Sequence, residues 1–196
     1  NISVIEITDD TNLPRIDYTG GVGHWLFEPQ STNLIIQSQS LNSALNLKVD
    51  TTITDNYGVS PTGEANSSRI QFADTTAFCY AAVSVSTDHT ASVYVKGVSG
   101  ETVRFGIGAN VTTGELFTFN GLWQRINFTA SSAAQIFFSS YSGATTSDFE
   151  AFGLQLEASS FATSYIPTEG AIKTRLQDAA FGAGSSDLIN STEGVL

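Results

Sequence analysis

The chain has 196 residues, of which 41% are hydrophobic and only 14% charged, with a formal net charge of -11 at pH 7. That is enough apolar material for a core, but its 8 lysines and arginines are too few for nucleic acid or an anionic membrane surface. The single cysteine excludes an intrachain disulfide and a cysteine-built zinc cluster, and no apolar run reaches the roughly 18 residues of a membrane helix.

Residues 1–24 alternate weakly through Ile2, Val4, Ile5 and Ile7, then break at Pro14 and Gly20-Gly21. They read as an extended N-terminal arm with a short strand. Residues 26–37 read as a strand ending in Leu34-Ile35-Ile36. Residues 38–68 are polar and punctuated, with turn chemistry at Asp55-Asn56-Tyr57-Gly58 and Pro61-Thr62-Gly63 and one helical turn at Ser40–Leu45.

From there the period is two. Strands are expected at 69–72, 78–86, 90–96, 102–109, 115–119, 123–130, 135–141 and 149–157, each bounded by Gly, Ser, Thr or Asn. No helical period separates them, so a parallel α/β sheet is excluded. The spacing predicts an all-β fold, a two-sheet antiparallel jelly-roll β-sandwich with extended N- and C-terminal arms. The domain reading is an arm over 1–24, the sandwich over 25–168, and a Gly/Ala/Ser-rich linker over 169–196. That linker ends in what reads as the opening of a following domain at Ser191–Leu196.

Catalytic chemistry is sparse. His24 and His89 have no Ser, Cys or carboxylate at a motif spacing, and Cys79 sits in the apolar run Phe78–Val83 as a buried thiol. Asp148 and Glu150 lie two apart and share one strand face. Such a pair suits a solvated sheet face, a structural calcium ion, or the acid and base of glycoside hydrolysis. Glu28 and Glu157 sit among apolar neighbours and need partners, from Arg15, Arg125, backbone amides or an ion. Trp123 reads as a core or strand-edge anchor. The alternation turns Val93, Val95, Val103, Phe105 and Ile107 inward and Tyr94 and Arg104 outward. A patch of Tyr80, Tyr94, Arg104 and Tyr141 would offer a glycan flat rings and one planar cation.

Several segments carry a resemblance. They are Arg15-Ile16-Asp17-Tyr18, Phe27-Glu28-Pro29-Gln30-Ser31-Thr32-Asn33-Leu34, Pro61-Thr62-Gly63-Glu64-Ala65, Ser92-Val93-Tyr94-Val95-Lys96 and Trp123-Gln124-Arg125. They close with Gly153-Leu154-Gln155-Leu156-Glu157 and Thr163-Ser164-Tyr165-Ile166-Pro167-Thr168, then Arg175 and Asp178. Together they resemble a domain of bacteriophage tail fibres, head spikes and related virion proteins. The resemblance implies a jelly roll similar to carbohydrate-binding modules, on a virion or extracellular appendage that attaches to cell-surface polysaccharide. It brings no catalytic residues and no required cofactor. It makes the closing motif an arm pinned over the sandwich by Tyr165 and Pro167.

Three functions follow as expectations. The first is a non-catalytic glycan-binding module, with other domains of the same fibre chain as neighbours. The second is a structural spacer or homotrimerisation unit. The third is a polysaccharide depolymerase using Asp148, Glu150 or Glu157.

Overall fold

A computed structural model describes residues 21–178 and, for the backbone, residues 15–17. The alternating residues Ile2, Val4, Ile5 and Ile7, the Arg15 side chain and the segment 179–196 lie outside the described residues. Two units divide the chain, and residues 31–175 form one of them.

That unit is a sandwich of two five-stranded antiparallel sheets. Its strands are β3 (Ser31–Asn33), β4 (Leu47–Val49), β5 (Thr51–Thr54), β6 (Ser68–Phe72), β7 (Phe78–Val85), β8 (His89–Lys96) and β9 (Thr102–Gly108). They continue with β10 (Glu115–Thr118), β11 (Gln124–Ala130), β12 (Ala133–Ser139), β13 (Asp148–Glu157) and β14 (Lys173–Arg175). The first sheet runs β10-β9-β12-β7-β4 and the second β11-β8-β13-β6-β5. From β4 to β13 the chain changes sheet at every step except the hairpins β5–β6 and β9–β10, which is the wrapping expected of a jelly roll. In the other unit, β1 (Arg15–Asp17) pairs antiparallel with β2 (His24–Leu26). There the backbone of Glu28 is clasped by Asp178, which accepts from Glu28 N at 2.8 Å and donates from its own N–H to Glu28 O at 3.0 Å.

The eight strands expected from residue 69 onward all form. Their alternation fills the space between the sheets with aromatic rings. Phe105 and Phe138 of the first sheet lie 4.9 Å apart, and Phe138 meets Phe149 of the second sheet edge-on at 5.2 Å. All three are buried, and burial of each such side chain contributes about 1.5–3 kcal/mol. Cys79 is fully buried among them, and desolvation pushes its thiol up to about 12.

Two readings need correction. Residues 26–37 do not form one strand: β2 ends at Leu26 and β3 begins at Ser31, with Pro29, which cannot donate to a ladder, between them. The stretch 38–68 holds two strands as well as the helical turn. The turn is α1 (Leu41–Ala44), N-capped by Ser40, whose side chain accepts from Ser43 N. β4 and β5 are edge strands of opposite sheets, separated only by Asp50. Its φ of +47° turns the chain from one sheet to the other.

The bracketing motifs meet across the outer face of the second sheet. Asn33 donates to Leu154 O at 3.3 Å and to Ile166 O at 2.9 Å, and accepts from Ile35 N and Leu156 N. Gln155 accepts from Ile166 N at 2.7 Å. Ser38 Oγ accepts from Thr168 N at 2.7 Å. Tyr165 meets Phe152 edge-on at 5.4 Å and shares a 2.7 Å hydrogen bond with Ser38 Oγ. Beneath it, Gly153 has φ +70°, and a Cβ there would stand 3.1 Å from the Tyr165 ring. Buried Glu157 accepts from Ser31 Oγ at 2.5 Å, from Thr163 N at 3.0 Å and from the Thr163 hydroxyl. Its partners are thus one backbone amide and two hydroxyls. The arm covers the β3 end of this face and leaves the other end open.

Candidate functional site

The uncovered end of the second sheet carries a cleft of about 360 Å³. Its floor is set by strand register. Lys96 of β8 stands opposite Glu150 of β13, and Glu150 opposite Arg69 of β6. Asp148 lies two residues back along β13, on the same face. Outward side chains at opposed positions on neighbouring strands come within reach of one another, so four charged groups form a row of alternating sign.

The row is tightly paired. Arg69 donates to both oxygens of Asp148, at 2.9 and 3.1 Å from Nε and by a further contact from its terminal nitrogen. The Asp148 hydrogen bonds raise the guanidinium pKa against the opposing desolvation. Lys96 Nζ lies 3.3 Å from Glu150 Oε1, and Glu150 Oε2 accepts from Ser67 Oγ at 2.6 Å. Both pairs keep part of their surface in solvent: the Arg69 and Asp148 side chains are 31% and 41% exposed, Lys96 and Glu150 40% and 18%.

Two aromatic rings flank this row. Tyr57 comes from the turn after β5, and the Arg69 guanidinium lies 4.9 Å from its ring centroid. Asn56 beside it has φ +55°, the left-handed conformation that asparagine tolerates in turns. Trp123 stands beside the cleft just before β11, its ring centroid 5.8 Å from Lys96 Nζ. Its indole N–H donates to Val59 O at 3.1 Å, tying the two flanking loops together. Trp123 is therefore a half-buried rim residue and not part of the core. Behind Lys96, Gly97 lets Phe119 close the core, since a Cβ there would come within 2.5 Å of the ring.

The four ligand candidates read from the sequence divide between two faces. Tyr80, Arg104 and Tyr141 share the outer face of the first sheet, where Phe78 bridges the rings: stacked on Tyr80 at 6.0 Å and tilted against Tyr141 at 6.2 Å. Arg104 is spent on the backbone there, donating to Tyr141 O at 3.3 Å, Ser142 O at 2.7 Å and Gly114 O. Tyr94 is not with them. It lies on β8 of the second sheet, edge-on to Tyr165 at 6.4 Å and under Arg125 at 5.5 Å. Alternation gives the direction of a side chain but not the sheet its strand joins, so a single patch of all four does not form. Asp148 and Glu150 do share a face, but each is ion-paired, with Arg69 and Lys96. Among the described residues no group of three or more His, Cys, Asp or Glu is gathered to hold a metal.

No protein-family model matches the chain, and no curated protein matches it. Among solved structures, it is similar to CBM35 from Paenibacillus barcinonensis at 15% identity and TM-score 0.40, covering 58% of this chain and 92% of that one. It is also similar to a β-1,3-glucan binding CBM6 from Bacillus halodurans at 12% identity and TM-score 0.38, covering 58% and 91%. A third is the carbohydrate binding module of Cellvibrio mixtus lichenase 5A, in complex with cellotriose, at 12% identity and TM-score 0.40, covering 65% and 96%.

Proposed function

We propose that the sandwich is a non-catalytic glycan-binding module of a virion appendage, a tail fibre or spike, and that the cleft at the open end of the second sheet takes the sugar. One observation carries this reading: Tyr57 and Trp123 flank a row of hydrogen-bonding charged groups in an open cleft. Ring faces accept the C–H face of a pyranose, and paired charged side chains offer fixed donors and acceptors to its hydroxyls. The appendage setting rests on the terminal motifs. Asp148 and Glu150 are both held by cations, which suits binding better than an acid and base poised for hydrolysis.

Isothermal titration against cell-surface polysaccharides tests the reading. Saturable binding by the wild-type chain, lost in Tyr57→Ala and Trp123→Ala, supports it. Absence of binding across the panel, with a stable trimer by light scattering, would favour the spacer. Release of new reducing ends would favour the depolymerase.

A second binding face has its own support. The Phe78, Tyr80 and Tyr141 rings line the first sheet beside Leu47 and Val49, which are 44% and 42% exposed. Loss of polysaccharide binding in Tyr80→Ala but not in Trp123→Ala would move the site to that face.

A further inference from the structure

The charges of the cleft are matched. Two cations, Arg69 and Lys96, face two carboxylates, Asp148 and Glu150, and each cation already contacts its carboxylate. A site built for an anion leaves a cation waiting for it. Here an incoming carboxylate, sulfate or phosphate could reach Arg69 or Lys96 only by standing beside Asp148 or Glu150, or by displacing one of them. The chain as a whole adds a net charge of -11 to that repulsion.

A hydroxyl meets no such conflict, because it both donates and accepts. Among the described residues, Lys96 Nζ makes one hydrogen bond, to Glu150, and the Arg69 contacts with Asp148 run through Nε and Nη2. The ammonium and the remaining guanidinium nitrogen therefore keep donors for a ligand, while the carboxylates keep lone pairs. Vicinal hydroxyls can fill both at once without breaking an ion pair.

We infer that the cleft selects an uncharged glycan and discriminates against uronic, sialic, sulfated or phosphorylated chains. This rests on the glycan reading above and narrows its ligand class.

Uronic-acid-containing capsular polysaccharides are titrated before and after carboxyl reduction, beside neutral dextran, mannan and galactan, at 50 and 500 mM NaCl. The ligands that bind are expected to be neutral chains, or to bind about tenfold or more tightly after reduction, since like charges brought together oppose binding. Their Kd should change less than about twofold with salt, because a neutral ligand has no net charge to screen. Tighter binding of an unreduced acidic chain, or affinity that collapses with salt, overturns the inference and leaves the glycan reading standing. No binding to any sample overturns both. The variant Glu150→Gln, checked for an unchanged melting curve, is a second arm. By freeing Lys96 it should narrow the gap between acidic and reduced chains, and an unchanged gap would count against the role given to the pairing.

Discussion

Asn33 Nδ2 donates to Ile166 O at 2.9 Å across 133 residues of chain. The bond joins the two bracketing motifs, and Asn33 is the centre of that joint. Its amide fills both of its donors and accepts from two backbone N–H groups. Replacement by Ala would leave two buried carbonyls and two buried amides short of a partner. Asn33→Ala is expected to lower stability by about 2–4 kcal/mol in a urea melt. A loss under about 0.5 kcal/mol would mean the arm is held by something else.

Gly153 is the companion test. Its positive φ and the Tyr165 ring over it both oppose a side chain. Gly153→Ala should cost about 1–3 kcal/mol, and Tyr165→Phe much less, since it keeps the ring and loses only the hydroxyl bonded to Ser38. Equal losses in the two variants would contradict the packing described.

Alkaline pH should weaken the fold. Burial pushes Tyr165 up to about 12 from an ordinary 10.0, and Cys79 up to about 12 from 9.0. Both are neutral when protonated, so the folded state holds these protons longer than the unfolded chain does. Their contribution is complete below pH 9 and is lost as pH rises toward 12. Urea midpoints measured from pH 8 to 12 should fall, with Cys79→Ala removing the part that starts near 9 and Tyr165→Phe the part that starts near 10. A pH profile unchanged in both variants would show that neither group carries the linkage.

The rim rings should matter for binding and little for folding. Tyr57 is 51% exposed, and Trp123 is half-buried beside the cleft. Each Ala variant is expected to weaken polysaccharide binding about tenfold or more, in the range of an interface anchor. The melting temperature should fall by only a few degrees. Trp123→Ala that binds as wild type would exclude it from the site.

Much of this fold was legible. Period-two alternation placed every strand from β6 to β13, because each keeps one face in the core. β4 and β5 were hidden because strands of three and four residues carry no readable period. The terminal motifs were visible as words, yet their meaning is a set of contacts across the whole chain. Asn33, Gln155 and Glu157 need one another, and no local pattern says so.

The site was legible in fragments. Alternation put Asp148 and Glu150 on one face and turned Tyr94 and Arg104 outward. It could not say that Arg69 and Lys96 would stand beside the carboxylates, which is a matter of register between distant strands. Tyr57 looked like a turn residue and Trp123 like an anchor. Only their closeness to Arg69 and Lys96 makes them a rim.

The most direct test of the central claim is a two-dimensional amide NMR titration of the folded chain with the neutral polysaccharide fragment that binds best. Shifts are expected to cluster at Tyr57, Arg69, Lys96 and Glu150. Shifts confined to Phe78, Tyr80 and Tyr141, or none with any fragment, would contradict it.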